Sequence, residues 1–363
     1  MTQLLVPRLL ISLLKSIMIG VIISSIILLL VPDLREGSGL PLDIFSQKEK
    51  KNKKLSFSNA VNSAGPAVVN VYSESLDSSS YYRRQPVQRT NLGSGVIMNI
   101  EGYILTCLHV IENAVTSTDN IITIGLQDGR LAEAQIVGFD PITDLAVLSI
   151  SEENLTVVPQ QSENVNAVGD VVLAIGNPYN LGQTVTQGIV SRISNNGLNN
   201  YFDYIQTDAV LSEGNSGGAL VDSEGNLLGI TNANFKTRVS RNRVEAAEGV
   251  SFAIPYSLAK KVMEQIISNG KVTRGALGFT ALEQQPTGSG GILVTAVSQG
   301  GPAELGGLQV KDIVVSVDGH PTTSIRDTLN YITNIAPGST ITFDIIRGGK
   351  KRTLQMIVGE LEI

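Results

Sequence analysis

The stretch Gly214-Asn215-Ser216-Gly217-Gly218-Ala219-Leu220 sets a serine among glycines on a tight turn. Such a turn presents the hydroxyl without side-chain obstruction. It can also aim the backbone N–H groups of Gly214 and Ser216, with Asn215 between them, into one small pocket of the kind that stabilises an oxyanion. A serine hydroxyl is a weak nucleophile unless a base takes its proton and a third group orients that base. The chain has two histidines. His109 ends the apolar, β-rich run Gly102-Tyr103-Ile104-Leu105-Thr106-Cys107-Leu108-His109, whereas His320 lies in the turn Val317-Asp318-Gly319-His320-Pro321 with no nucleophile motif nearby. Asp144, in Asp140-Pro141-Ile142-Thr143-Asp144-Leu145-Ala146-Val147-Leu148, is the best-placed orienting acid, as the last polar group before a buried strand. Asp140 is its rival, but before a proline it reads as a turn former. His109, Asp144 and Ser216 follow one of the several chain orders that Ser-His-Asp triads adopt.

Positioning these groups requires a rigid frame. Ile121–Leu126, Gln135–Phe139 and Leu145–Ile150 alternate or run apolar between turns, the pattern of a β-barrel. Further strands are expected at Ala67–Val71, Asp170–Ile175 and Thr184–Ile193. Tyr256–Ser268 predicts an amphipathic helix with Leu258, Val262, Ile266 and Ile267 on its apolar face and Gly270 just past its end. Leu211, Ser212, Ile230, Thr231 and Asn232 are expected to line the pocket for the residue before the scissile bond; with no acid among them, a small or medium aliphatic side chain suits it. After Lys271 the remaining stretch fits one small α/β module, with strands in Gly290–Val294, Asp312–Val317 and Ser339–Phe343 and helices at Gly301–Leu308 and Ile325–Ala336.

Composition narrows the class. A chain of 363 residues has room for two domains. Its net charge of −6 and its lack of tryptophan argue against a nucleic-acid binder. The single cysteine, Cys107, allows no intrachain disulfide, and its place two residues before His109 reads as packing. No His/Cys cluster spaced for a metal and no phosphate-cradling loop is evident in the sequence, so neither metal nor cofactor is expected. From Leu9 to Val31 the chain is almost wholly apolar, long enough to span a bilayer, with Arg8 and Lys15 towards the side that the positive-inside rule assigns to the cytoplasm. No Ala-x-Ala-like site precedes Pro32, so a retained anchor is expected rather than a cleaved signal. The run Lys48–Lys54 reads as part of a solvated linker.

The segments around His109, Asp144 and Ser216, with Gly176-Asn177-Pro178-Tyr179-Asn180-Leu181-Gly182-Gln183, Gln206-Thr207-Asp208-Ala209 and Gly249-Val250-Ser251-Phe252-Ala253-Ile254-Pro255, resemble the HtrA (high-temperature-requirement) family of serine proteases, most closely its membrane-anchored DegS branch. The likeness runs over nearly the whole chain. It implies a mainly β fold, a chymotrypsin-like double barrel followed by an α/β PDZ domain: residues 1–35 as cytoplasmic stub and anchor, 36–55 as linker, 56–272 as protease and 273–363 as PDZ. The family motif puts the catalytic acid immediately before the Leu-Ala-Val-Leu strand, selecting Asp144. Ala276-Leu277-Gly278-Phe279 is similar to the loop that binds a peptide's C-terminal carboxylate through backbone N–H groups. Also implied are a homotrimer, to which Tyr81 and Tyr82 are candidate contributors, and an inner-membrane protein facing the periplasm. Its partners would be C-terminal peptides of misfolded outer-membrane proteins and, as substrate, a membrane-spanning anti-sigma factor. The DegS sensor loop carries an arginine where this chain has Asn195, which leaves Arg192 the nearest equivalent. The competing expectations are a general quality-control protease of the DegP or DegQ type and a non-enzymatic anchored PDZ adaptor.

Overall fold

The computed structural model describes residues 5–30, 56–77, 87–117, 120–161, 167–194, 202–233, 236–240, 243–246, 249–283, 290–322 and 324–361. The chain divides into two units, residues 1–55 and 56–363. The first holds one helix, α1 (Leu5–Leu30). At about 1.5 Å per residue it extends about 39 Å, beyond the ~30 Å hydrocarbon core of a bilayer. Its stretch Leu10–Ile27 is apolar and wholly unburied, so the helix is long and apolar enough to cross a membrane. The expected linker and its lysine run lie outside the described residues, as do Tyr81, Tyr82 and Asn195.

The second unit opens with α2 (Ser58–Ala64) and a 3₁₀ turn at Gly65–Ala67. Six strands then close a barrel: β1 (Val68–Asp77), β2 (Val87–Ile97), β3 (Tyr103–Cys107), β4 (Asn120–Gly125), β5 (Leu131–Asp140) and β6 (Leu145–Ser149), in the order β1-β2-β3-β6-β5-β4. Helix α3 (Leu108–Thr116) follows β3 without a break. Along β5, Ala132 and Ala134 point inward while Leu131, Glu133 and Gln135 stay exposed, the period of two a half-buried strand requires. The Leu145–Leu148 run of β6 is buried throughout.

A second closed barrel is built from β7 (Val171–Gly176), β8 (Thr184–Ser194), β9 (Tyr204–Thr207), β10 (Ala219–Asp222), β11 (Leu227–Asn232) and, after the hairpin β12 (Lys236–Ser240) and β13 (Arg243–Ala246), β14 (Ser251–Pro255). The expected double barrel is therefore present. Helix α4 (Tyr256–Asn269) packs on β5, β6 and β11 and stops at Gly270, whose φ of 74° lets its N–H return to Ile266 O at 2.8 Å. Its buried face is Tyr256, Ala259, Val262, Met263 and Ile266, rotated slightly from the expected one, with Leu258 and Ile267 at its margins. Burying a side chain such as Ile266 stabilises the fold by roughly 1.5–3 kcal/mol.

The C-terminal module has its own core around Phe343, Leu277, Val314, Ile341 and Met356. The short β15 (Gly275–Ala276) pairs with the last strand, β22 (Gly359–Glu360). The main sheet runs β16 (Phe279–Glu283), β17 (Ile292–Val297), β18 (Ile313–Val317), β20 (Thr340–Arg347), β21 (Lys350–Ile357), with β19 (His320–Pro321) on β18. Helix α5 (Pro302–Leu305) is short, and α6 (Ile325–Thr333) ends before the expected Ala336, its last turn tightening as Asn334 N and Ile335 N donate to Tyr331 O and Ile332 O. His320 is exposed in its turn and packs on Tyr331, ring centroids 5.0 Å apart. Polar links join module to barrels: Arg274 to Asp140, Arg326 to Asp203 at 3.0 Å, and Lys261 to Asn334 at 2.5 Å.

Candidate active site

Strand register brings His109 and Asp144 together. β3 and β6 are antiparallel with Cys107 opposite Leu145, so the residues just after β3 meet those just before β6. Asp144 has φ of 56°, a left-handed conformation that aspartate tolerates better than most residues. From there it supplies acceptors to the first turn of α3, whose N–H groups have no partner within the helix. Its carbonyl accepts from Leu108 N at 2.9 Å and its Oδ1 from His109 N at 3.0 Å. Its Oδ2 lies 2.6 Å from His109 Nδ1 and accepts from Asn232 Nδ2 at 2.9 Å. With a carboxylate fixed against Nδ1, that nitrogen carries the imidazole proton and Nε2 is the acceptor. His109 and Asp144 are each about a quarter exposed (23% and 26%), so the pair is in contact with solvent.

Ser216 precedes β10 in a loop held by both barrels. Ser94, on β2, donates from its N–H to Ser216 O and from Oγ to Gly214 O, both at 2.8 Å, while its Oγ accepts from Asn177 N at 3.0 Å. Thr106 Oγ1 in turn donates to Ser94 O at 2.7 Å. Gly217, at φ 83°, has no space for a side chain: a Cβ would stand 2.2 Å from Ser94 O. The Ser216 hydroxyl is nearly buried and accepts from Ala233 N at 3.2 Å. Among the described residues this is its hydrogen bond, and the one to His109 is not formed; in an unliganded protein such a contact commonly tightens only when substrate arrives.

Two carbonyl contacts decide where the loop's N–H groups point, because C=O and N–H of a trans peptide are opposed. Glu213 O accepts from Tyr179 N at 3.1 Å, which turns the Gly214 N–H the other way. Asn215 O accepts from Thr231 Oγ1 at 2.6 Å and Gly218 N at 3.0 Å, which does the same for the Ser216 N–H. Among the described residues neither N–H has an acceptor. The Asn215 N–H, in contrast, donates to Ser212 O at 3.0 Å, so of the three residues expected at the oxyanion site Asn215 offers no free backbone donor. Its Oδ1 is buried without a partner against Gly176.

Of the expected pocket residues, Leu211 and Ser212 are half-buried beside the loop. Ile230 is a correction: it is fully buried in the barrel core, because β11 turns that side chain inward. Thr231 is buried as the donor to Asn215 O, and Asn232 reaches Asp144. Ser94, Thr106 and Tyr179 were not singled out from the sequence; the small-residue run Gly93-Ser94-Gly95 was the one available signal.

Cys107 is fully buried, its Sγ 3.4 Å from Thr231 O. Burial pushes the thiol up from its ordinary value, and the neighbouring Asp144 charge adds to that, against a smaller opposing effect of the Gly217 N–H. Its sulfur, a His109 ring nitrogen and an Asp144 oxygen lie within 4.8 Å of one another. The fold thus assembles a thiol–imidazole–carboxylate cluster that spacing in the sequence did not reveal.

In the C-terminal module Ala276, Leu277, Gly278 and Phe279 line one side of a cavity of about 340 Å³, opposite Ile325, Leu329 and Ile332 of α6. Gly278 has φ of 74°, and among the described residues the N–H groups of Leu277 and Gly278 have no acceptor.

Comparison with known proteins agrees with this geometry. The family described as trypsin-like peptidase domain matches residues 93–230, and the PDZ domain family matches residues 275–358. The serine endoprotease DegS of Escherichia coli K12 is 44% identical over 361 residues, covering 96% of this chain and 98% of its own. The chain belongs to the DegS family of HtrA-type serine endoproteases. DegS of Haemophilus influenzae is 41% identical, with 95% and 96% covered. Among solved structures, the serine endoprotease from Yersinia pestis is 44% identical with a TM-score of 0.68, covering 85% of this chain and 98% of that one. The HtrA-type protease AlgW with decapeptide is 39% identical with a TM-score of 0.74, covering 85% and 100%. As a DegS-like chain it is a serine endopeptidase with a single matched PDZ domain.

Proposed function

We propose that Ser216 is the nucleophile of this endopeptidase, His109 its general base and Asp144 the group that orients the base. In this reading His109 Nε2 takes the Ser216 proton as the oxygen attacks the scissile carbonyl, then delivers it to the leaving amine. Asp144 holds the Nδ1–H tautomer and stabilises the imidazolium. The N–H groups of Gly214 and Ser216 receive the oxyanion. The observation that carries this is the double hold of Asp144 on His109, through main-chain N–H and ring together. The pocket beside Leu211 and Ser212 would take a small aliphatic side chain.

We further propose the DegS-type role: a homotrimer anchored by α1 in the inner membrane, with protease (56–272) and PDZ domain (273–363) in the periplasm. It senses unfolded outer-membrane protein C-termini at Ala276–Phe279 and makes the first, regulatory cut in a membrane-spanning anti-sigma factor. The mutual coverage of this chain and E. coli DegS favours this over a DegP-type role: the DegP-like relative from Chlamydia trachomatis, at 37% identity, is covered over only 56% of its length. Helix α6 offers a route for the signal. Ile325, Leu329 and Ile332 face the peptide cavity, while Arg326 reaches Asp203, which leads into β9. Arg326 would then fill the part expected of a sensor-loop arginine.

The test is cleavage of the anti-sigma factor's periplasmic domain by the full chain in membranes, with and without peptides ending in an aromatic or aliphatic residue. Peptide should raise the rate, and Arg326→Ala should lower the activation ratio. Equal rates with and without peptide would leave a protease without the sensor.

A further inference from the structure

We propose that Cys107, His109 and Asp144 form a binding site for a zinc-class divalent cation that switches the peptidase off. The inference rests on the reading of His109 as general base. Cys107 is the one thiol of the chain and ends β3, two residues before the imidazole. The three ligand atoms, each within 4.8 Å of the others, share a point no more than about 2.8 Å from all of them. Displacements of at most about 0.8 Å would bring that point to zinc's distances, about 2.3 Å to sulfur and about 2.0–2.2 Å to imidazole nitrogen and carboxylate oxygen. Thiolate, imidazole and carboxylate form a donor set that suits zinc rather than magnesium or calcium, and three protein ligands leave the fourth position for water.

His109 and Asp144 are each about a quarter accessible, so two of the three ligands are in contact with solvent although the sulfur is buried. The hydrogen bond of Asn232 Nδ2 to Asp144 Oδ2 holds the carboxylate in place, a supporting contact of the kind that orients metal ligands.

The consequence for catalysis follows from proton positions. Of the two ring nitrogens Nδ1 is the one held against Asp144, at 2.6 Å, so a cation shared with that carboxylate would take Nδ1. The single proton of neutral imidazole must then sit on Nε2, and the thiol proton leaves to solvent. With Nε2 protonated the ring cannot accept the Ser216 proton. No bond of the substrate is involved, and removal of the ion restores the original tautomer.

The experiment uses the full chain in detergent after chelator treatment. Zinc binding is measured by equilibrium dialysis, and cadmium is added separately to read the ultraviolet thiolate-to-metal charge-transfer band. Wild type should bind one zinc per chain and show the cadmium band. Cys107→Ser, which retains a hydroxyl able to reach Thr231 O, should lose the band and bind zinc at least about tenfold more weakly. Ser216→Ala should keep both. In activity, zinc should inhibit wild type reversibly, and the inhibited fraction should fall in Cys107→Ser. A wild-type chain without the cadmium band, or zinc binding unchanged in Cys107→Ser, overturns the proposal. If zinc binds through Cys107 while the metal-free rate survives loss of His109, the site stands and the general-base reading fails.

Discussion

Asp140 and Arg274 form a bidentate ion pair in the interior, Nη1 to Oδ1 at 2.6 Å and Nη2 to Oδ2 at 2.7 Å, with only 1% and 10% of their side chains exposed. Arg274 stands where the chain enters β15, and its carbonyl accepts from Leu361 N at 2.8 Å. Asp140 closes the turn that leads to Asp144, accepting from Thr143 N at 3.1 Å and from the Thr143 hydroxyl. One buried pair therefore fastens the start of the PDZ module to the turn bearing the proposed orienting acid.

Removing one partner leaves the other charged and unpaired in the interior, which costs about 3–5 kcal/mol. Arg274→Ala should therefore lower the denaturation midpoint strongly, and Asp140→Asn with Arg274→Leu less than either single change suggests. Because Asp144 sits on the same turn, kcat of Arg274→Ala should fall by on the order of tenfold to a hundredfold. Additive stability losses in the double variant would contradict the pairing.

The Thr231 hydroxyl acts through a peptide group. By binding Asn215 O it aims the Ser216 N–H away from the loop. Thr231→Val keeps the shape and removes the donor, so kcat should drop about tenfold with KM nearly unchanged, a fraction of the 10²–10³ lost with an oxyanion donor itself. A rise in KM at constant kcat would assign Thr231 to ground-state binding instead.

These two positions also mark how far the sequence could be read. Ser216, His109 and Asp144 stand in local motifs, and their neighbours in the chain announce them. The groups that aim them do not: Ser94 meets Gly214 across 120 residues and Arg274 meets Asp140 across 134. Such contacts arise from barrel closure and leave no local pattern around a serine or an arginine. The expected pocket includes both Ile230 and Thr231, yet successive side chains on β11 point to opposite sides, one into the core and one to the loop. A barrel pattern and the strands of the C-terminal module are legible from alternation and turn residues; that there are two barrels, and that the module is a PDZ domain, is what the family resemblance implied. Helix α6 stops at Thr333, short of the expected Ala336, where its last turn tightens, a change of hydrogen bonding that leaves no mark in the residue pattern.

Acid should act on the PDZ sheet through Asp344. Ser316 Oγ and Thr353 Oγ1 both donate to its carboxylate at 2.7 Å, and with Lys351 nearby they hold it below the ordinary carboxylate range. A carboxyl depressed in the folded state binds fewer protons than the unfolded chain, so its contribution is present above the unfolded value of about 3.9 and is lost as pH falls below it. Thermal unfolding followed from neutral pH to pH ~3 should show a shallower loss for Asp344→Asn than for wild type. Parallel curves would remove Asp344 from the account.

Ser216 as nucleophile is tested most directly by covalent labelling with a phosphonate that mimics the tetrahedral intermediate, the adduct being located by mass spectrometry. One adduct is expected, on Ser216, formed slowly in His109→Ala and Asp144→Asn and absent in Ser216→Ala. Turnover of a peptide substrate should fall in parallel, by on the order of 10⁴–10⁶ for Ser216→Ala. An adduct on another residue, or a Ser216→Ala chain cleaving near the wild-type rate, would contradict it.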